Sequence, residues 1–300
     1  MESSVISKVV GRLLLVLALV GSTTYAYASV TLVVDGQSEQ VVQFHQRLNS
    51  IVSEHSIRLY DIQNKAAPFP QDSQRWIAMG VSAMVKLLDK VSDDAPVLGL
   101  FVKADAYKKL SDMYPNKQIS LLSNRAPLTR QLALIKQLSP GFSHVGLFYS
   151  PQSQQDFSPL KNFAKQLNVR LSLTPLPDPL NWDREALITL KEVDAVLGVD
   201  DSAIYNATNI RSILMRLYRA GKPLIGPDKG YVRAGAVAST YSGVKETLEA
   251  VKHLLKKAKW ENVEINPYFT VATNEQVARS LNIPLLSEAD LVDKILGAMQ

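Results

Sequence analysis

VDAVLGVDDSAI (residues 193–204) followed by KPLIGPDKGYVRAGAVASTYSGVKETLEAVKHLL (residues 222–255) is the stretch that decides the fold. Its apolar runs are continuous instead of alternating, and each leads through polar residues toward a segment with helical periodicity. Strands of a parallel sheet read this way when helices cover both faces. Asp200 and Asp201 close the first run, and Asp228 follows the second. Polar side chains therefore fall at the carboxyl ends of successive strands, where open α/β sheets bind small ligands.

Working outward, the same alternation fills the chain. Toward the N-terminus, strands are expected at Val30–Val34, Ile57–Asp61, Trp76–Met79, Val97–Val102 and Gln118–Leu122, with helices near Glu39–Ser53, up to Lys90 and near Lys109. After Pro127 the plan repeats with a helix at Thr129–Leu138, strand His144–Tyr149, a helix capped by Ser158 with Pro159 at its first position, and strand Val169–Thr174. Asp183 caps the next helix. Strand Ala195–Val199, a helix from Ala203 to Ala220, and strands Pro223–Ile225 and Ala236–Ser239 follow. A helix Val244–Lys257, strand Tyr268–Ala272, a helix opened by a capping box at Thr273-x-x-Gln276 and a last helix after Ser287 complete the set. Only four or five strands precede the break at Asn124–Pro127, which argues against a barrel of eight equal units. The reading is α/β, with two doubly wound parallel-sheet lobes, as chains of this size commonly form two cores.

The first 28 residues read as a cleavable signal peptide. Lys8 and Arg12 supply the positive region, LLLVLALV (residues 13–20) the apolar core, and Ala26-Tyr27-Ala28 the small-residue cleavage site. Gly21-Ser22-Thr23-Thr24 stops the core well short of the roughly 20 apolar residues a span requires. The expected location is therefore periplasmic. With no cysteine in the chain, neither a lipid-modified cysteine nor a disulfide is available, so apolar burial and backbone pairing must hold the fold; a hydrophobic content of 46% is ample for that. The net charge of +5 is spread along the chain, and its densest cluster, Lys256, Lys257 and Lys259, sits at the end of an expected helix. That dispersion argues against a nucleic-acid partner.

Catalytic chemistry finds no support. His45, His55, His144 and His253 are dispersed, and no His-Glu-x-x-His set, Gly-rich phosphate loop or Gly-x-Ser-x-Gly elbow is present. No catalytic residue, metal ligand or cofactor is therefore assigned, and the protein is read as a non-enzyme. Adjacent Asp200 and Asp201 would point to opposite faces if still in a strand.

Four blocks carry a resemblance: PLTRQLALIKQLSPGFSHVGLFYSPQ (127–152), VDAVLGVDDSAI (193–204), KPLIGPDKGYVRAGAVASTYSGVKETLEAVKHLL (222–255) and YFTVATNEQVARSLNIPL (268–285). Together they resemble the exported solute-binding proteins of ABC transporters related to tryptophan and tyrosine binding components, with the type I periplasmic-binding fold. The resemblance implies a ligand held in an interlobe cleft that closes like a clamp, with three crossings between lobes. Lobe I would comprise residues 29–123 and 242–265, lobe II residues 124–241 and 266–285, and residues 286–300 a C-terminal helix. Hinge motion would fall near Ser123–Pro127, Tyr241–Gly243 and Asn266–Pro267. The partners implied are a small-molecule ligand and the membrane permease of an ABC importer, with the binding protein a monomer. A sensing subunit of the same fold that regulates a membrane receptor is the alternative.

Carried over residue by residue, Ser82 falls in a first-lobe loop where the family shows Gly-Thr-x-Ala, with Val81 replacing the threonine. Ser150 stands where the family often has Asn. Asp201 and Ser202 occupy the site after the central strand, and Asp228 the acidic position of the next loop. The long Gly-rich loop after the fourth strand is reduced to Lys103-Ala104-Asp105. A zwitterion such as an amino acid needs an acceptor for its ammonium, which Asp201 or Asp228 could supply, and donors for its carboxylate, which Ser82, Ser150 and helix-start amides could supply. Tyr149 and Tyr241, with Tyr205, could stack on a flat ligand or simply pack. Asp201 is equally suited to cap the helix expected after it, and Asp228-Lys229-Gly230 reads most simply as a turn.

Overall fold

β1 (Val30–Val34) is buried along its whole length, the physical reason it reads as one unbroken apolar run. Side chains alternate across it. Val30, Leu32 and Val34 join Phe44 and Leu48 of α1 (Glu39–Ile51), whereas Val33 joins Trp76 of β3 (Arg75–Met79) with Met84 and Leu87 of α2 (Val81–Leu88). One sheet thus carries a core on each face. The computed structural model describes residues 29–52 and 56–299; the expected signal peptide, residues 1–28, lies outside them.

β2 (Ile57–Asp61), β4 (Val97–Leu100), α3 (Ala104–Met113), β5 (Ile119–Ser123) and β11 (Val263–Ile265) complete the first unit. Its sheet runs β11-β5-β4-β3-β1-β2, all parallel. The second unit contains α4 (Leu128–Leu138), β6 (His144–Tyr149), α5 (Ser158–Gln166), β7 (Arg170–Pro175), α6 (Arg184–Glu192), β8 (Ala195–Leu197), α7 (Ile210–Arg219), β9 (Leu224–Ile225), α8 (Lys229–Ala234), β10 (Ala238–Tyr241), β12 (Thr270–Thr273), α10 (Glu275–Ser280) and α11 (Glu288–Ala298). Its sheet runs β12-β10-β9-β8-β6-β7, parallel except for β12 against β10. Both sheets reverse direction beside their first strand, β1 or β6, which makes the two-lobed, doubly wound fold the correct class.

The chain passes between sheets three times. Ser123–Pro127 leads from β5 to α4, Tyr241–Gly243 leads from β10 to α9 (Val244–Leu254), and β11 runs into β12 through Asn266. Helix α9 returns to the first sheet, where Leu248, Val251 and Leu254 pack with Leu32 and Phe44. Helix α11 packs Leu291 and Ile295 into the second core.

One chain of side-chain hydrogen bonds links all three passages. Asn124 Nδ2 donates to Thr247 Oγ1 at 2.8 Å, Thr247 Oγ1 donates to the Gly243 carbonyl at 2.7 Å, and Asn266 Nδ2 donates to Asn124 Oδ1 at 2.9 Å. Arg130 in the first turn of α4 adds a bond from Nη2 to the Asn266 carbonyl at 2.9 Å and lies over the Phe269 ring at 4.4 Å. Burial pushes its guanidinium down to about 10, which leaves it charged at neutral pH. Next to it, fully buried Gln131 accepts from Thr240 N–H and donates to the Gly226 carbonyl at 3.1 Å, so α4 is tied to the ends of β9 and β10.

Several local expectations change. The helix expected from Ala203 begins only at Ile210, because the Asp201 carbonyl accepts from Ile204 and Tyr205 N–H and the Asn206 side chain accepts from Thr208 and Asn209 N–H, closing tight turns instead. Ser158 is not the cap but the first helical residue of α5, its N–H taken by Asp156. Asn274 replaces Thr273 as the cap of α10, since Thr273 still pairs in β12. Strand Val97–Val102 stops at Leu100, where Phe101 turns to a φ of 57°. The helix from Val244 ends at Leu254, and after a run of turns residues 263–265 form β11, a strand absent from the sequence reading.

Two outcomes are expected. Asn266→Ala should lower the unfolding free energy by roughly 2 kcal/mol, the cost of leaving buried partners unsatisfied, and a cycle with Asn124→Ala in urea should show the two losses to be less than additive. At the far end of the second sheet, Asp194 accepts from Ser143 and His144 N–H, each at 2.8 Å. Burial acts to raise its pKa, but these N–H groups and the Ser143 hydroxyl outweigh it and hold the carboxyl below its ordinary 3.8. Its stabilisation is thus complete above the unfolded value and lost as pH falls through the lower folded one. Asp194→Asn should cost roughly 1–2 kcal/mol at pH 7 and flatten the acid limb of stability measured below pH about 4.

Candidate functional site

Because every strand except β12 runs the same way in its sheet, the carboxyl ends of each sheet gather on one side, and the seven residues singled out in the sequence lie at those strand ends or in the loops and helix starts that follow them. In the first unit, β1 delivers Asp35 and β3 delivers Gly80, whose φ of 86° is a conformation that a side chain would strain. The turn at Gly80 starts α2 and brings Ser82 against Asp35. Ser82 Oγ donates to Asp35 Oδ2, and Lys86 Nζ, one turn on, reaches Asp35 Oδ1 at 2.6 Å. Lys86, then Ser82, holds the Asp35 carboxyl below its ordinary value. Beside them, Phe101 stands 45% exposed at the end of β4 with its ring edge-on to Phe44 at 5.9 Å. A bulky residue in left-handed backbone costs of order 1–3 kcal/mol.

In the second unit, Asp201 does two jobs at once. Its Oδ2 accepts from Ser150 N–H at 2.7 Å and its Oδ1 from Ala203 N–H at 3.1 Å. The loop after β6 is thereby fastened to the loop after β8. Ser150 is buried, Tyr149 is half-buried with its ring edge-on to Phe157 at 5.3 Å, and Ser202 is exposed. Asp228 is the N-cap of α8, accepting from Gly230 N–H at 2.6 Å, so the expected turn continues as a short helix. Tyr231 from that helix donates to the Tyr205 carbonyl at 2.7 Å, joining the β8 and β9 loops. Burial, with the Asp228 and Asp200 carboxylates, pushes the Tyr231 phenol up to about 12. Tyr205 itself is buried packing, its phenol raised first by desolvation.

Tyr241 ends β10 and meets Lys229, whose ammonium donates to its hydroxyl at 3.1 Å and lies over its ring at 4.9 Å. The structure therefore joins Ser150 directly to Asp201, whereas Asp228 bonds only to the start of its own helix, Tyr241 meets Lys229, and Ser82 bonds within the first unit. Sequence reasoning missed Asp35 and Phe101. Asp35 had the signal already used for Asp200, an acid directly after an apolar run; Phe101 had none, since an aromatic inside such a run reads as core. Among the described residues, no group of three or more His, Cys, Asp or Glu side chains is placed to hold a metal ion.

The arrangement offers hydroxyls, carboxylates with remaining lone pairs and aromatic faces on loops pinned from below. Comparison with other proteins bears on what uses it. Residues 68–292 match the family model described as ABC transporter substrate binding protein. No curated protein matches the sequence. Among solved structures, the ligand-free, open form of a substrate binding protein with adhesive properties from Clostridium difficile is 14% identical, covering 87% of this chain and 96% of its own, with a TM-score of 0.61. A conserved domain protein from Vibrio cholerae is 16% identical over 89% of this chain and 98% of its own, with a TM-score of 0.49. A Streptococcus pneumoniae ABC domain in complex with L-Trp is 16% identical over 90% and 98%, with a TM-score of 0.47. With three quarters of its length matched by the family model, the chain belongs to the ABC transporter substrate-binding protein family.

Proposed function

We propose that this protein, freed of residues 1–28, works in the periplasm as a monomer that captures a small polar solute, an amino acid first among candidates, and presents it to the permease of an ABC importer. The observation that carries the reading is the fastening of the strand-end loops by Asp201. A carboxylate that already holds two backbone N–H groups fixes both loops and still has lone pairs for an ammonium group. Preorganised loops lower the ordering cost of binding. Asp228 offers a second acceptor from its capping position, Ser82 and Ser202 are exposed hydroxyls, and Tyr149 and Tyr241 present ring faces to the apolar part of a ligand. The three crossings define the axis about which the lobes would close, and ligand favours closure only through contacts made in the closed state. The family supports solute binding over catalysis.

Screening the common amino acids by thermal shift should reveal one or more that raise the melting temperature, since ligand stabilises the folded state in proportion to the logarithm of its excess over Kd. Tyr149→Ala and Asp228→Ala should each weaken that ligand about tenfold or more, roughly 1.4 kcal/mol, in calorimetry. Asp201→Asn, which keeps one carbonyl oxygen, should weaken it without unfolding the chain. Unchanged affinity in all three variants would remove these loops from the site.

A further inference from the structure

The end of the first sheet remote from the strand-end loops also carries a cavity. Arg75 begins β3, and Pro96, Gln118 and Asn262 directly precede β4, β5 and β11, so four neighbouring strands bring their amino ends to one place. The cavity they line measures about 340 Å³, and all of its lining belongs to the first unit. A short edge strand opens it. β11 pairs with β5 only from Leu121 onward, so the edge of β5 at Ile119 lies uncovered by β11, and the Ile119 carbonyl accepts from the Tyr107 hydroxyl at 3.2 Å. Tyr114 and Pro115 after α3 wall the cavity on one side, and Trp260 after α9 on another.

Its cationic part is held before any ligand arrives. Arg75 donates to the Leu255, Lys257 and Ala258 carbonyls at 3.0, 2.7 and 3.2 Å and lies over the Trp260 ring at 5.4 Å, while Trp260 Nε1 donates to the Leu254 carbonyl at 2.9 Å. A guanidinium has five N–H groups, so part of its donor capacity remains. Arg75, Lys117 and Lys259 line the cavity together, and among the described residues no carboxylate does. Their charges are not equally free. Arg75 sits at the carbonyl end of α9, which offsets part of its charge, and Lys117 pairs with Asp93 at 3.0 Å. Lys259 is exposed and makes no ion pair among the described residues. One cation is thus left unmatched, beside aromatic walls and the uncharged polar side chains of Ser111, Gln118 and Asn262.

We infer that this cavity is a second ligand site, for a small organic monoanion with a flat apolar body, in the simplest case an aromatic carboxylate. Its carboxylate meets Lys259 and the remaining N–H groups of Arg75, and its ring lies against Tyr114, Pro115 and Trp260. The volume falls at the small end of ligand pockets, room for one ring and its acid group. The solute site proposed above lies at the opposite, carboxyl ends of the strands, so neither occupant excludes the other.

The probe is p-fluorobenzoate, an anion at neutral pH, titrated into the purified protein and followed by fluorine NMR, with p-fluorobenzyl alcohol as the uncharged control. Saturable binding of one benzoate per chain is expected, with nuclear Overhauser contacts from its ring protons to the methyls of Ile119 and Ala258. Lys259→Gln, at an exposed position, should weaken binding about fivefold, the upper end for an exposed ion pair, whereas Tyr149→Ala should leave it unchanged. Absence of saturable binding, equal binding of the alcohol, ring contacts only to other methyls, or a loss in Tyr149→Ala but not in Lys259→Gln would each overturn the second site. The contacts in the unsubstituted protein decide the matter even if Lys259→Gln fails to fold. Failure here leaves the amino-acid screen free to succeed, and failure of that screen leaves this site standing.

Discussion

Three stretches of backbone pass between the two sheets, and one run of side-chain hydrogen bonds from Thr247 through Asn124 to Asn266 binds them into a single unit. Everything else about the molecule depends on that junction. Two units, each packed around its own six-stranded sheet, would otherwise be free to drift. Thr247 and Asn266 are buried, and a satisfied buried network is rigid because every alternative arrangement strands a donor or an acceptor. Arg130 raises the stakes further. Its charge is largely withdrawn from water and rests on the Asn266 carbonyl and the Phe269 face, while its Nε and Nη1 find no hydrogen-bond partner. A guanidinium left partly unsatisfied beside the crossings is costly in the arrangement described, and costly groups at a junction are ones a second arrangement can relieve.

The strand-end loops obey the opposite logic. Each is pinned, by Asp201, by Asp228 or by the Tyr231 hydroxyl, so the polar groups they carry are held in place before any solute arrives. On the function proposed above, fixed loops on two units joined at three crossings would act as a clamp, with motion at the crossings. In the first unit Ser82 and Lys86 hold the Asp35 carboxylate, though this salt bridge lies at the surface and contributes little to stability.

The fold was legible because burial on both faces forces continuous apolar runs, as in VTLVV of β1, VLGL of β4 and AVL of β8. What escaped notice was short or inverted. β11 has three residues, and its middle one is the buried acid Glu264, so neither length nor polarity marks it as a strand. The helix expected from Ala203 lost its first turns to the Asp201 carbonyl and the Asn206 side chain, a local competition that periodicity does not register. Asp228 was read as a turn residue because a capped six-residue helix and a turn begin with the same hydrogen bond. At the strand ends, sequence could place acids and hydroxyls in loops; it could not reveal that Asp201 spends both oxygens on backbone, since its partner Ser150 lies 51 positions away.

The most direct test of hinged capture is a distance between the lobes with and without solute. The chain has no cysteine, so Lys108→Cys on α3 and Gln154→Cys after β6 place two spin labels at exposed positions on opposite units. Double electron–electron resonance should show the distance distribution narrowing and shifting to shorter values when the amino acid that raises the melting temperature is present at saturation. A distribution that stays the same with bound solute would contradict closure about the crossings.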